Sequence, residues 1–287
     1  MNRVVQNLLS SRRLLRDFVA RDLQARYVGS SLGFFWSVVY PVINLAVYMF
    51  VFQYVMKATW RPDQGAQEVV MLMLVGIVSW SAFAETLGRG TNILVDNANL
   101  IGKLTFPTEI LPAYVTVSAL VNMLIALPIV LGALVWAMFF PQDDPALVAR
   151  MAEAGNPGIV LGAAVLWLPL LLLLQAIFTA GVAYFLATFN LFWRDTFHVI
   201  GVATMVWMFI TPIFYPPEAF VRPPFDFGWM LEINPMHWLI DMYRSALTKN
   251  AMPDPVLLAK FTGATAVTFF LGATFFDRQR DRFADLL

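Results

Sequence analysis

The chain has 287 residues, 59% of them hydrophobic and 13% charged, and its acids and bases cancel to a formal net charge of zero. An average soluble domain carries roughly 25% charged residues, so this composition belongs to an integral membrane protein. Neutrality leaves no global field to recruit nucleic acid, the lack of cysteine excludes disulfides and thiol catalysis, and His198 and His237, far apart, form no metal-binding pattern.

The first 26 residues hold Arg3, Arg12, Arg13, Arg16, Arg21 and Arg26 without a compact apolar core and cleavage site, so no removable signal peptide is expected. Leu15, Val19 and Leu23 recur every four residues with Phe18 beside them, while Arg12, Arg13, Arg16 and Arg21 point in other directions. This stretch before the first span therefore reads as an amphipathic helix suited to lie flat on an anionic leaflet, with a solvated basic tail as the plainer alternative. Gly29, Ser30, Ser31 and Gly33 then supply a hinge into the first span.

Apolar windows of about 20 residues, the length of helix that crosses a bilayer, predict six spans: 34–56, 69–88, 110–139, 158–190, 198–215 and 256–276. In lipid each must satisfy its own backbone, so the expected fold is an all-α polytopic bundle forming one transmembrane domain over 1–287. Arg89, Lys103, Arg194, Arg278, Arg280 and Arg282 join the N-terminal arginines on one side, which places both termini in the cytoplasm. The outer connection 216–255 has apolar runs too short to span and prolines that break them, as re-entrant or interfacial segments do; Trp229, Trp238 and Tyr243 suit the headgroup level.

Enzyme chemistry finds no footing: no paired carboxylates, activated nucleophile or metal cluster stands at recognisable spacing. Glu85 and Arg89, four apart at a span end, read as a structural ion pair rather than a proton relay, and Asn44, Asn122, Gln175 and Asn190 as interhelical hydrogen-bonders. Gly102-Lys103 is followed by Leu104, with Asn97 where a phosphate-binding loop needs its first glycine. An ATP-driven machine would need a separate ATPase subunit, with ATP and Mg bound there and no cofactor in this chain. Residues 92–109 suit a docking element for such a subunit, or form an ordinary interfacial loop. Trp36, Tyr40, Asn44, Tyr48 and Phe52 follow at steps of four, a stripe that drifts slowly round the first span and either lines a substrate pathway or belongs to an interfacial aromatic belt.

Three stretches, ARDLQARYVGSSLGFFWSVVYP at 20–41, NANLIGKLTFPTEILP at 97–112 and INPMHWLIDMYR at 233–244, resemble the membrane subunit of bacterial type-2 ABC exporters, closest to the polysaccharide branch that exports O antigen, teichoic acid and related glycans. The resemblance runs through nearly the whole chain with the same six-span layout. It implies a homodimer with two ATPase subunits, an N-terminal interface helix at 8–28 and an outer re-entrant region at 216–255. It also implies a coupling helix at 93–103, with Asn97, Asn99, Leu100 and Ile101 at the ATPase, and Gly29 and Gly33 as the interface-helix hinge.

The expected function is thus a channel-forming permease subunit moving a lipid-linked, O-antigen-type polysaccharide across the bacterial inner membrane. Its partners would be a second copy, two ATPase subunits, the lipid-linked glycan and membrane lipids. Ring faces hold sugar C–H faces weakly at many places, which suits a sliding chain. The alternatives are export of teichoic acid, capsule, drug or lipid by the same machinery, a membrane-embedded glycan- or lipid-modifying enzyme, and a passive channel or scaffold.

Overall fold

A computed structural model describes residues 2–26, 35–102, 106–140, 145–221 and 226–287. The predicted hinge glycines, Gly29 and Gly33, lie outside the described residues, as does Lys103. Among the described residues the chain is built from helices and holds five that are long and apolar enough to cross a membrane.

Two helices precede the first of these, α1 (Asn2–Ser10) and α2 (Arg12–Ala25). The apolar stripe of α2 is partly buried against protein: Leu14, Leu15, Phe18 and Val19 pack on the bundle, with the Phe18 ring 5.8 Å from Phe106 and 5.4 Å from Tyr114. The bundle thus takes up part of the apolar stripe expected to rest on the leaflet. Arg12, Arg13, Arg16 and Arg21 remain exposed.

The first long helix is α3 (Trp36–Tyr48), which tolerates Pro41 and widens at Met49–Val55 into a π-helix; little of it is buried in the single chain. Next, α4 (Ala66–Asp96) runs 31 residues through the centre of the molecule and is the most buried span. It continues eight residues beyond the predicted end at 88, because Glu85 and Arg89 pair along its surface and no proline interrupts it, Gly88 and Gly90 staying helical. Residues 93–96, expected in the coupling segment, are therefore its last turn. A four-residue helix, α5 (Ala98–Ile101), follows.

Helix α6 (Ile110–Phe139) occupies the predicted third span residue for residue. After α7 (Pro145–Glu153) and a 3-10 turn at Ala163–Trp167 comes α8 (Leu168–Phe192), so the fourth span starts later than predicted, and Val160 pairs with Lys249 instead. The predicted fifth span is α9 (Thr196–Ile210), only 15 residues and roughly 22 Å long at 1.5 Å per residue. It ends because Pro212 has no N–H and disfavours helix in the residue before it; Thr211 turns to ψ 123°.

The outer connection folds as a 3-10 turn at Pro217–Val221, then α10 (Gly228–Glu232) and α11 (Pro235–Thr248). Asn234 caps α11, its side-chain oxygen accepting from the N–H groups of Met236 and His237, with Pro235 at the first helical position. Tyr243, expected at the headgroups, is fully buried: its hydroxyl donates to Gln175 on α8 at 2.9 Å. Asp254 and Pro255 start the last long helix, α12 (Pro255–Gln279), in the same way, and the chain closes with a 3-10 turn at Arg280–Arg282 and α13 (Phe283–Leu286).

The closest helix crossing joins α8 to α12. A Cβ on Gly181 would lie 2.6 Å from the Phe269 backbone, and one on Gly272 would collide with the Gly181 carbonyl. Only glycine lets these backbones touch, the packing mode favoured where lipid removes the hydrophobic drive for association. Polar side chains join the other helices: Gln175 donates to the Ser79 carbonyl at 2.8 Å, Asn190 to Asn92 at 3.1 Å and Asn122 to Glu85 at 3.2 Å.

Candidate functional site

A cavity of about 540 Å³ lies between α3, α4 and α6. One wall is the predicted stripe: Trp36, Tyr40, Asn44 and Tyr48, spaced so that consecutive members sit one turn apart. The facing walls offer Leu74, Ile77, Val78 and Ser81 from α4 and Asn122, Ala126 and Val130 from α6. Tyr40 is 67% exposed, so the cavity is open on the side away from the bundle. The fifth member, Phe52, lies beyond it, stacked on Tyr48 at 6.2 Å and on Phe214 at 6.2 Å. The stripe thus borders a cavity within one chain, while Val42, Ile43 and Val47 of α3 and Phe50 of the π-helix are exposed in the single subunit.

One end of the cavity is formed by Arg26 and Glu85. Both belong to a four-charge network. Arg26 bridges Glu85 and Asp22, the latter at 3.0 Å; Arg89 bridges Asp22 and Glu85, the latter at 2.9 Å. The second Glu85 oxygen accepts from Asn122. Two acids and two bases cancel, so this end of the cavity is hydrogen-bonding but neutral. Burial pushes the Asp22 carboxyl up, but the hydrogen bonds and charges of Arg89 and Arg26 outweigh it and hold the group below its ordinary value.

Sequence reasoning recognised the Glu85–Arg89 pair and missed Asp22 and Arg26 as its partners. A signal was present: Asp22 and Arg26 continue the spacing of Leu15 and Val19, an acid and a base on the apolar stripe.

The predicted ATPase-coupling residues divide into two groups. Asn97 and Ile101 face inward: the Asn97 amide donates to the Ile93 carbonyl at 2.8 Å, capping α4, and Ile101 is buried among Val4, Tyr184, Phe276 and Phe283. Asn99 is exposed and Leu100 half-buried, so α5 presents a small outer face on an anchored base.

At the far end of the molecule Arg244, 4% exposed, donates to the carbonyls of Leu72, Pro212 and Ile213 at 3.0, 2.9 and 3.1 Å. Pro212 and Ile213 directly follow the end of α9, so one guanidinium fork ties α11, α4 and the segment where α9 stops. Among the described residues, no group of three or more His, Cys, Asp or Glu side chains is placed to hold a metal ion.

Residues 14–248 match the ABC-2 type transporter family. The chain belongs to that family. Its ABC-2 region spans the network, the cavity, α5 and the outer helices together. The ABC-2 chain is also 30% identical, over 99% of both sequences, to a Myxococcus xanthus protein called O-antigen export system permease protein RfbA. A Klebsiella pneumoniae protein of the same name is 26% identical over 96% of this chain and 95% of its own length.

Proposed function

We propose that this chain is the permease subunit of an ATP-driven exporter that moves a lipid-linked polysaccharide of the O-antigen type across the bacterial inner membrane. In this reading it works as a homodimer with two ATPase subunits, which bind the ATP and Mg, and both termini face the cytoplasm. Supporting it are the ABC-2 family match and two similar proteins whose names describe O-antigen export. The single observation in the structure that carries the reading is the cavity between α3, α4 and α6, where rings from Trp36, Tyr40 and Tyr48 stand beside the amides of Asn44 and Asn122.

Sugars need both surfaces. Their C–H faces pack on rings, their hydroxyls exchange hydrogen bonds with amides and alcohols, and a neutral wall holds none of them tightly enough to stop a long chain from sliding. Helix α2 is the interface helix in this scheme, α5 the coupling helix, α9 the short fifth of six crossings, and α10 and α11 the re-entrant outer segment. ATP-driven closure of the partner subunits pushes on α5 and α2, and the Arg26–Glu85 end of the cavity opens as α2 moves.

Co-purification with the ATPase, followed by export assays in proteoliposomes, tests the proposal. Replacing both Trp36 and Tyr40 with leucine keeps assembly and ATP hydrolysis while lowering glycan export. Normal export by the double variant returns both rings to an interfacial belt, and a purified subunit that modifies glycan without any ATPase replaces the exporter with an enzyme.

A further inference from the structure

The cytoplasmic end of the proposed exporter carries a clip that the export reading does not use. Glu109, the residue before α6, is 1% exposed, and its Oε1 accepts from Arg280 at 2.6 Å and from the Asn7 amide at 2.8 Å. Its backbone carbonyl accepts from the Tyr184 hydroxyl at 2.7 Å. One residue therefore joins the N-terminal helix α1, the turn after α12, the middle of α8 and the start of α6. A carboxylate this buried is stable as a charge only when paired, and Arg280 supplies the cation.

The clip sits at one end of the connection that holds α5. At the other end Asn97 caps α4. Between them Ile101 is pressed into an apolar cluster whose members include Val4 from α1 and Phe283 from α13, and the Phe283 ring meets Phe276 of α12 edge to face at 5.0 Å. A four-residue helix has no stability of its own, because nucleation costs more than one or two hydrogen bonds return. Its position is set by what lies behind it, and that includes both the N-terminal helix α1 and the C-terminal helix α13.

We infer that the C-terminal segment 280–287, clipped through Arg280 and Glu109, is a brace that positions α5 and passes a push on α5 into α1, α6 and α12. This rests on the assignment of α5 to ATPase coupling. Arg280, Glu109 and Phe283 are positioning residues in this account: a loose connection would bend under load, whereas a clipped one transmits it.

Two readouts test the brace in the full complex with its ATPase. The first is amide hydrogen exchange at residues 98–102. Arg280→Gln, which keeps a hydrogen-bond donor but removes the charge, and truncation after Arg282, which keeps the ion pair but removes Phe283, both speed exchange there; Arg280→Lys stays near wild type. The second readout is glycan exported per ATP hydrolysed, expected to fall about tenfold in both variants, in the usual range of coupling between sites. ATP hydrolysis per assembled complex stays unchanged. Unchanged exchange in both variants overturns the brace, as does a proportional fall in hydrolysis and export, which marks a merely structural role. A wild-type complex that neither hydrolyses ATP nor exports overturns the exporter reading separately, and the exchange result then decides the brace alone.

Discussion

Charged side chains that join helices fix much of this molecule residue by residue. Glu85 receives Arg26, Arg89 and Asn122, so Glu85→Ala leaves two partly buried guanidinium groups to share Asp22 and costs about 2 kcal/mol, read as a lower melting temperature in detergent. Asp22 gives the network a pH dependence of defined sign. Because its folded-state pKa lies below the ordinary carboxylate value of about 3.9, its stabilisation is complete above that value and is lost as pH falls below it. A fluorophore pair on α2 and α4 should hold its distance from neutral pH down to about pH 4 and separate below it, and Asp22→Asn should show the separated distance throughout. Arg244→Lys should behave nearly as badly as Arg244→Met, losing at least about 3 kcal/mol, since one ammonium cannot fork to three carbonyls on two elements. Equal stability of Arg244→Lys and wild type removes the fork argument. Of these residues only the Glu85–Arg89 pair was legible in the sequence, because four-residue spacing is a local signal. Asp22 with Arg89 and Glu109 with Arg280 are 67 and 171 positions apart, and a single sequence does not say which distant charges meet.

Among the elements, the long apolar spans could be read from the chain and their ends could not always. Helix α6 matches its predicted range because Pro107 and Glu109 precede its apolar run and the charged, proline-containing stretch that starts at 141 follows it. Helix α4 overran its prediction because an ion pair along the helix lets charges stay helical. Helix α9 stopped early at Pro212, whose effect outweighs the apolar residues after it. Tyr243 shows a different limit. Its amphipathic ring fits a headgroup belt on chemical grounds, but the buried Gln175 oxygen gives its hydroxyl a partner inside the bundle. The α8–α12 crossing gives the clearest element-scale prediction. Gly181→Ala forces the backbones apart at Phe269 and should cost about 1–3 kcal/mol with loss of cooperativity in thermal unfolding, while Gly263→Ala on the same α12, with open space around it, should be neutral or mildly stabilising. Equal effects at the two positions contradict backbone contact as the reason for glycine.

At the scale of the whole molecule, two ends with different chemistry are joined by a rigid centre. Helix α4 reaches from the Arg244 fork, which donates to the segment after α9, to the charge network that holds α2, so displacement of α2 acts directly on one wall of the cavity. The composition announced the membrane class, and the aromatic stripe offered either a substrate pathway or an interfacial belt. That the stripe faces a cavity inside one subunit was not readable, since helical spacing says which residues share a face and not which neighbour the face meets. The central claim is that glycan passes along this cavity. A photo-crosslinking residue placed at Tyr40 and, separately, at Phe270 on the outward face of α12 tests it in vesicles that export glycan on ATP addition. The account predicts ATP-dependent capture of the lipid-linked glycan at position 40 and only lipid at position 270; equal capture at both, or none at position 40 during active export, would contradict it.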